Sequence, residues 1–236
     1  MFIKKLLKNT IKETLGFFYY HGYRKYTQPP GNRALIYHAF GTKYPHDTYG
    51  FSIDIHQFHE HIKFYVDNYK IININDYKKN NIDTLSITID DGYKDNLDAI
   101  EILNKYNIPF TLYITTSTLD TEGYLSTEDI KSLSCLNNCE IGSHSFNHVR
   151  LNTISNEKIF YQLSESKKVI ERIIGNKISG ISYPHGSYNQ YVLSILKSLG
   201  YDYAASSIKG KNIESTNKYL LKRSEIIKSD SLKTIT

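Results

Sequence analysis

The chain has 236 residues, 40% of them hydrophobic, enough for one large α/β domain or two small ones with a sizeable buried core, and this excludes disorder for most of its length. The longest charge-free stretch near the N-terminus, Thr14 to Tyr23, is ten residues, about half of what a bilayer-spanning helix requires. The net charge of +5 is concentrated in residues 1–27, where Lys4, Lys5, Lys8, Lys12, Arg24 and Lys25 face only Glu13, while the remaining residues balance. That excess lies in a leader and not along the domain, so nucleic acid is not an expected partner.

Those same charges interrupt the early apolar residues and no small-residue cleavage site follows, so a secretory signal is not expected and the chain reads as cytoplasmic. Within the leader, Ile3, Leu7, Ile11, Leu15 and Phe18 recur near helical spacing with the lysines on the complementary face. Such a helix gains about 1 kcal/mol per basic residue at an anionic membrane surface. It can equally pack its apolar stripe on the domain or on a second subunit. Residues 27–32, with Pro29, Pro30 and Gly31, break the helix and form a linker, which divides the chain into a leader over 1–32 and a domain over 33–236.

From Arg33 onward, short apolar runs alternate with longer periodic segments. Strands are expected at Arg33 to Tyr37, Thr84 to Ile89, Phe110 to Ile114, Cys139 to Ile141, Ile178 to Ile181 and Tyr201 to Ala204. Helices are expected at Ile53 to Tyr69, Lys94 to Tyr106, Thr127 to Leu133, Ser155 to Ile174 and Gln190 to Leu199, with Ser155 as an N-cap and Gly175 and Gly200 at helix C-termini. Six or seven such units predict an α/β fold, a (β/α) barrel either complete or one unit short. Cys135 and Cys139 are too few for a four-thiolate zinc site or a disulfide framework and read as free thiols.

The reactive side chains fall at strand ends. His38 follows the first run, Asp90 and Asp91 the second, His144 and His148 the fourth, and Tyr183-Pro184-His185-Gly186 the fifth. All lie just past the C-terminal end of an expected strand, the face on which barrel enzymes assemble their sites. Asp91, His144 and His148 supply one carboxylate and two imidazoles, a set suited to a catalytic divalent ion, with zinc expected from ligand type and cobalt, nickel or manganese able to serve. Asp90 is placed to take a proton from water activated by that ion, and His38 to donate one to a leaving group. The backbone amide at His185 is a candidate oxyanion donor. His56, His59 and His61 cluster more densely but occupy an expected amphipathic helix away from any strand end, and read as exposed or packing histidines.

The residues from Arg33 to about Leu232 resemble the polysaccharide deacetylase family, the NodB-like carbohydrate esterases of family 4. Thr88-Ile89-Asp90-Asp91-Gly92 resembles its Thr-Phe-Asp-Asp-Gly motif and Ser143-His144-Ser145-Phe146-Asn147-His148 its Ser-His-(Ser/Thr)-x-x-His motif. Ser182-Tyr183-Pro184-His185-Gly186 is similar to its Arg-x-Pro-Tyr-Gly loop in a degraded form. The resemblance implies a distorted barrel of about seven strands, with Asp90 as general base, Asp91, His144 and His148 as metal ligands and the His185 amide serving the oxyanion. It implies hydrolysis of an N-acetyl group from an amino sugar of a polysaccharide, its precursor or a lipid-linked glycan. Two departures stand out: Ser182 replaces the arginine that orients the base, and no Leu-x-His motif supplies the acid near the C-terminus. Tyr37-His38 resembles an N-terminal Tyr-His arrangement in some members, which points to His38 as acid, and Arg223 is a candidate for the missing arginine. A catalytically silent carbohydrate-binding domain is the alternative from another class, and a two-histidine, one-carboxylate iron oxygenase ranks behind both, since this chain reads as alternating βα.

Overall fold

In a computed structural model, residues 30–78 and 82–230 are described. The basic helix expected over 1–27, its membrane contact and the first half of the linker lie outside the described residues. In chain order the strands are β1 (Asn32–Tyr37), β2 (Ala39–Phe40), β3 (Ser52–Ile53), β4 (Lys70–Ile71), β5 (Thr84–Ile89), β6 (Phe110–Ile114), β7 (Cys139–Ser143), β8 (Gly180–Ser182), β9 (Tyr203–Ala205) and β10 (Arg223–Glu225). The helices are α1 (Ile55–Asn68), α2 (Asn96–Lys105), α3 (Thr127–Leu133), α4 (Asn156–Ile174) and α5 (Gln190–Ile195).

Seven parallel strands run in the order β10-β1-β5-β6-β7-β8-β9. Leu221 N donates to Ala204 O at 2.9 Å and Ser206 N to Leu221 O at 2.8 Å, tying the last strand to the segment that enters β10. The result is a nearly closed (β/α) barrel, as expected. β4 pairs with the first two residues of β5 and β6 with the last three, so both share one edge of that strand.

The period-2 alternation of the strands separates two cores. Leu35, Tyr37, Leu85, Ile87, Ile89, Phe110, Leu112 and Ile141 face outward and join Phe58, Ile62, Leu103, Ile159 and Leu163 of the helices in one large apolar cluster. The other parity fills the barrel with small and polar groups around Tyr113, Tyr203 and Arg223. Asn32 Nδ2 donates to Ser86 Oγ, Tyr113 OH to Tyr203 OH, and Tyr203 OH to Glu140. Two glycines make room for the rings: a Cβ on Gly142 would stand 2.5 Å from Tyr113 Cδ1, and one on Gly180 would overlap Tyr203. Gly142→Ala is therefore expected to destabilise the fold by about 1–3 kcal/mol, the usual cost of overpacking, read as a lower urea midpoint at unchanged slope.

Local chemistry sets the helix ends. Asp54 caps α1, accepting from the amides of His56 and Gln57, so the helix begins at Ile55 and not Ile53, which instead pairs with Phe40. Ser126 and Asp129 form a reciprocal capping box at α3. Ser155 caps α4 and Gly175 ends it at φ 71°, both as expected. α5 stops at Ile195, four residues short of the expected end, and Gly200 (φ 78°) closes a following turn and not the helix itself. The fifth and sixth strands start later than expected, at Gly180 and Tyr203, while β7 extends to Ser143. Of the helix histidines, His61 is buried with Nδ1 3.1 Å from Tyr37 OH, His59 Nε2 lies 3.0 Å from Tyr106 OH, and His56 is exposed, as read from the sequence.

Candidate active site

The inward parity of β5, β7 and β8 carries Asp90, His144 and Ser182 to the C-terminal mouth of the barrel, and Arg223, the inward-facing first residue of β10, reaches Asp90 from within the barrel. Asp90 sits one residue past β5, its amide donating to Tyr37 O at 2.9 Å. Asp91 would face outward by alternation, but a backbone φ of 77° turns it back, and Gly92 at φ 83° completes the reversal. Among the described residues, six non-glycine residues have positive φ, and four of them, Asp91, Ser145, His148 and His185, are at this mouth. Backbone strain concentrated in one place marks a region whose geometry is held for a purpose.

The His144–His148 segment is a tight turn and not a helix. Its amides are met by side chains: Ser145 N donates to Ser143 Oγ, Asn147 N to Gln162 Oε1 at 2.8 Å, and His148 N to Ser145 Oγ. Both imidazoles thereby converge on one oxygen. Asp91 Oδ1 lies 3.3 Å from His144 Nε2 and 3.2 Å from His148 Nε2, and the three ligand atoms fall within 4.8 Å of one another.

These donors fit a divalent cation. His144 Nδ1 is 2.9 Å from the carbonyl of Ser182, which can only accept, so that nitrogen carries the proton and the neutral ring offers the Nε2 lone pair. Asp91 Oδ1 is buried without a hydrogen-bond partner, the condition of an oxygen awaiting a cation. Burial alone would push the Asp91 carboxyl up, yet His144 and His148 outweigh it and hold it well below the usual carboxylate range. At His144, burial disfavours the imidazolium, but Asp90 and Asp91 more than offset it and raise its proton affinity. The field that attracts a proton here attracts a metal ion.

Asp90 lies on the other side of this cluster, in the grip of Arg223. The fully buried guanidinium donates through Nη1 to Asp90 Oδ1 at 2.7 Å and through Nη2 to Oδ2 at 2.8 Å, a bidentate fork. Its remaining donors reach Thr88 Oγ1, Ser182 Oγ and Ser206 O, and its plane lies over the Tyr113 ring at 5.3 Å. Ser182, at the position expected to hold an arginine, donates its own hydroxyl to Asp90 Oδ2 at 2.9 Å. Burial opposes ionisation of Asp90, but the Arg223 charge overrides it and lowers the carboxyl below its ordinary range.

His38, one residue past β1, lines the same cleft with its Nδ1 buried, unpaired and 3.7 Å from Glu225 Oε1. Glu225, which sequence patterning did not single out, also accepts from Tyr49 OH at 2.9 Å. His185 has φ 56° and its ring centroid lies 4.5 Å from that of His148; burial and the neighbouring His148 push its imidazole towards the neutral form. All the sequence-derived site residues, His38, Asp90, Asp91, His144, His148, His185 and Arg223, thus meet at one barrel mouth. The loop 41–51, whose aromatic residues form one wall of the cleft, carried no signal in the strand-end pattern.

The fold and this constellation define a (β/α) barrel protein with a carboxylate-imidazole cluster at its C-terminal mouth that could hold a metal ion. The family model for polysaccharide deacetylase matches residues 77–204, and the chain belongs to that family. It is 28% identical over 121 residues to the peptidoglycan-N-acetylmuramic acid deacetylase PdaA of Bacillus subtilis, covering 50% of this chain and 44% of that protein. It is 29% identical over 138 residues to B. subtilis YxkH, covering 58% and 49%. The chain therefore spans about half the length of the curated relatives it matches. Among solved structures, BC0361, a polysaccharide deacetylase from Bacillus cereus, superimposes with a TM-score of 0.76 at 25% identity, over 87% of this chain and 68% of that one. The Streptococcus pyogenes deacetylase PplD shares the fold with a TM-score of 0.78 at 21% identity, over 88% and 97%.

Proposed function

We propose that this protein is a metal-dependent N-deacetylase that hydrolyses the acetamide of an N-acetylated amino sugar in a cell-envelope polysaccharide, its precursor or a lipid-linked glycan. The observation that carries this reading is the convergence of Asp91, His144 and His148 on one point, with Arg223-bound Asp90 in the same cleft. Asp91 Oδ1 and the Nε2 atoms of His144 and His148 would hold a divalent ion, zinc by ligand type. When bound, that ion supplies Lewis-acid polarisation of the acetamide carbonyl and lowers the pKa of water towards about 7.

The protein's own groups perform the remaining work. Asp90, kept ionised by Arg223, is the base that accepts a proton from the attacking water. Arg223 orients it, satisfying both carboxylate oxygens so that the acceptor does not rotate away, and it does so from β10 and not from β8, where the family motif carries its arginine. The His185 amide is the oxyanion donor, presented by a loop held at positive φ. His38 delivers a proton to the departing sugar nitrogen, and Glu225 Oε1 lies 3.7 Å from its Nδ1. Ser182 and the absent C-terminal histidine motif motivate the binding-only reading, and the Arg223 fork on Asp90 weighs against the first of them.

The test is release of acetate from N-acetylated glucosamine or muramic acid glycans by zinc-loaded protein. His38→Ala is expected to lower that rate by about 10²–10⁴-fold, the range for a lost general acid, at unchanged metal content. Loss of metal in this variant would make His38 a ligand instead. For location we propose the cytoplasmic side of the membrane, with residues 1–27 as a peripheral contact. A chain lacking those residues that partitions with membranes as the full chain does would refute the contact.

A further inference from the structure

Behind the His144–His148 turn lies a groove of about 480 Å³ that the reaction above does not use. It runs between Asn147, Val149 and Ile154 on one side and Tyr161 and Gln162 of α4 on the other. Alternate residues of one segment divide it from the catalytic cleft: His148 and Arg150 line the cleft, while Asn147 and Val149 line the groove. One stretch of backbone therefore separates the two spaces.

The groove is apolar where the outer side of a surface helix is ordinarily polar. Phe160 and Tyr161, successive residues of α4, are 48% and 49% exposed, and the Tyr161 and Phe146 rings meet edge to face with centroids 5.4 Å apart. Its walls are fixed by bonds that need no ligand. Gln162 Oε1 accepts from Asn147 N at 2.8 Å, the Arg150 carbonyl accepts from Thr153 N at 3.1 Å and from Thr153 Oγ1 at 2.8 Å, and Ser155 caps α4. Binding to an apolar surface ordered in this way carries little further entropy cost.

Arg150 indicates what kind of apolar molecule fits. It is the one lysine or arginine among the described residues that line the cleft, and among those residues its guanidinium has no ion pair or hydrogen bond. An unpartnered guanidinium at the seam between a polar cleft and an apolar groove matches a phosphate that joins a sugar to a hydrocarbon chain. An apolar peptide in the groove would leave the cation on the cleft side without a role. We infer that the groove takes the first part of the hydrocarbon chain of a lipid-phosphate-linked N-acetylated amino sugar, with Arg150 on the phosphate and the sugar in the cleft. This rests on the N-deacetylase reading above and narrows it to the lipid-linked substrate. Apolar contact remote from the acetamide then supplies binding energy that orients the reacting centre.

Three probes separate the parts of this inference: the methyl and decyl phosphodiesters of N-acetylglucosamine 1-phosphate and the uncharged decyl N-acetylglucosaminide, each below its micelle-forming concentration. Calorimetric titration of the zinc-loaded full chain reads binding, and acetate released in the same samples reads turnover. The decyl diester is expected to bind about tenfold or more tightly than the methyl diester, a difference of about 1.4 kcal/mol or more. Ile154→Ser and Tyr161→Ser should each reduce that ratio to about threefold or less, whereas Tyr161→Phe, which keeps the ring, should preserve it. Arg150→Gln should weaken both diesters about tenfold and leave the decyl glycoside unchanged. Equal binding of the two diesters by the wild type, or a decyl advantage that survives both serine changes and so arises elsewhere on the chain, overturns the inference. So does an Arg150→Gln variant that weakens the glycoside as much as the diesters. Absence of acetate from all three probes counts instead against the N-deacetylase reading and leaves the binding comparison standing.

Discussion

Arg223→Met is expected to destabilise the protein by about 3–5 kcal/mol at neutral pH and to abolish measurable deacetylation. Removing one partner of a buried ion pair leaves the other charge without compensation, and that cost exceeds the small net worth of the intact pair. Here the orphaned group is Asp90, 3% exposed, which would keep only the Ser182 hydroxyl and the nearby histidines. The loss has a pH signature. Asp90 is depressed below its ordinary carboxylate range in the folded protein, so its contribution to stability is present above that range and disappears as pH falls through the depressed value. The gap in urea midpoint between wild type and variant should therefore be widest near neutrality and should close in acid. In any residual activity the acid limb should move to higher pH, because burial then raises Asp90 with no arginine opposing it. Arg223→Lys retains a charge but cannot make the fork or reach Ser206 O with a second donor, so it should fall between the two. A methionine variant as stable and active as the wild type would show that the pair neither holds the barrel mouth nor prepares the base.

Asp90→Asn is expected to lower the rate of acetate release by about 10²–10⁴-fold at saturating metal, with metal content unchanged. The amide matches the carboxylate in shape and can still accept from Arg223 through its oxygen, so the fold should survive, although its NH₂ group would face a cationic donor. What it cannot do is accept a proton. The separation of the two readouts is the informative part: Asp91 and the two histidines converge on a different point from the Arg223 fork, so activity should be lost without metal loss. Wild-type turnover in this variant would reassign the base.

Much of the site was visible in the sequence because its residues follow apolar runs long enough to read as strands. Leu85-Ser86-Ile87-Thr88-Ile89 ends in Asp90-Asp91, and the parity of a strand together with one reversed φ is sufficient to send those neighbours to different tasks. The closing strand was harder to read. β10 is Arg-Ser-Glu, with no apolar residue, and its membership in the barrel rests on pairing with β1, a segment almost 190 residues earlier in the chain. Arg223 was nevertheless a candidate through the arginine missing at Ser182. Ser182 itself read as a loss, whereas its hydroxyl bridges Arg223 and Asp90. Glu225 and Tyr49 carried no signal, since the bond between them joins positions 176 residues apart and neither lies beside a motif. The two-residue strands β2, β3 and β4 are too short for any alternation to register.

If Asp91, His144 and His148 together hold one catalytic divalent ion, zinc binding measured by elemental analysis and competition titration on wild type, Asp91→Ala and His148→Ala will show it. One ion per chain is expected in the wild type and an affinity at least about 100-fold weaker in both variants, the scale on which even a partner supporting a ligand matters. Zinc bound with wild-type affinity and stoichiometry after either substitution would contradict this expectation.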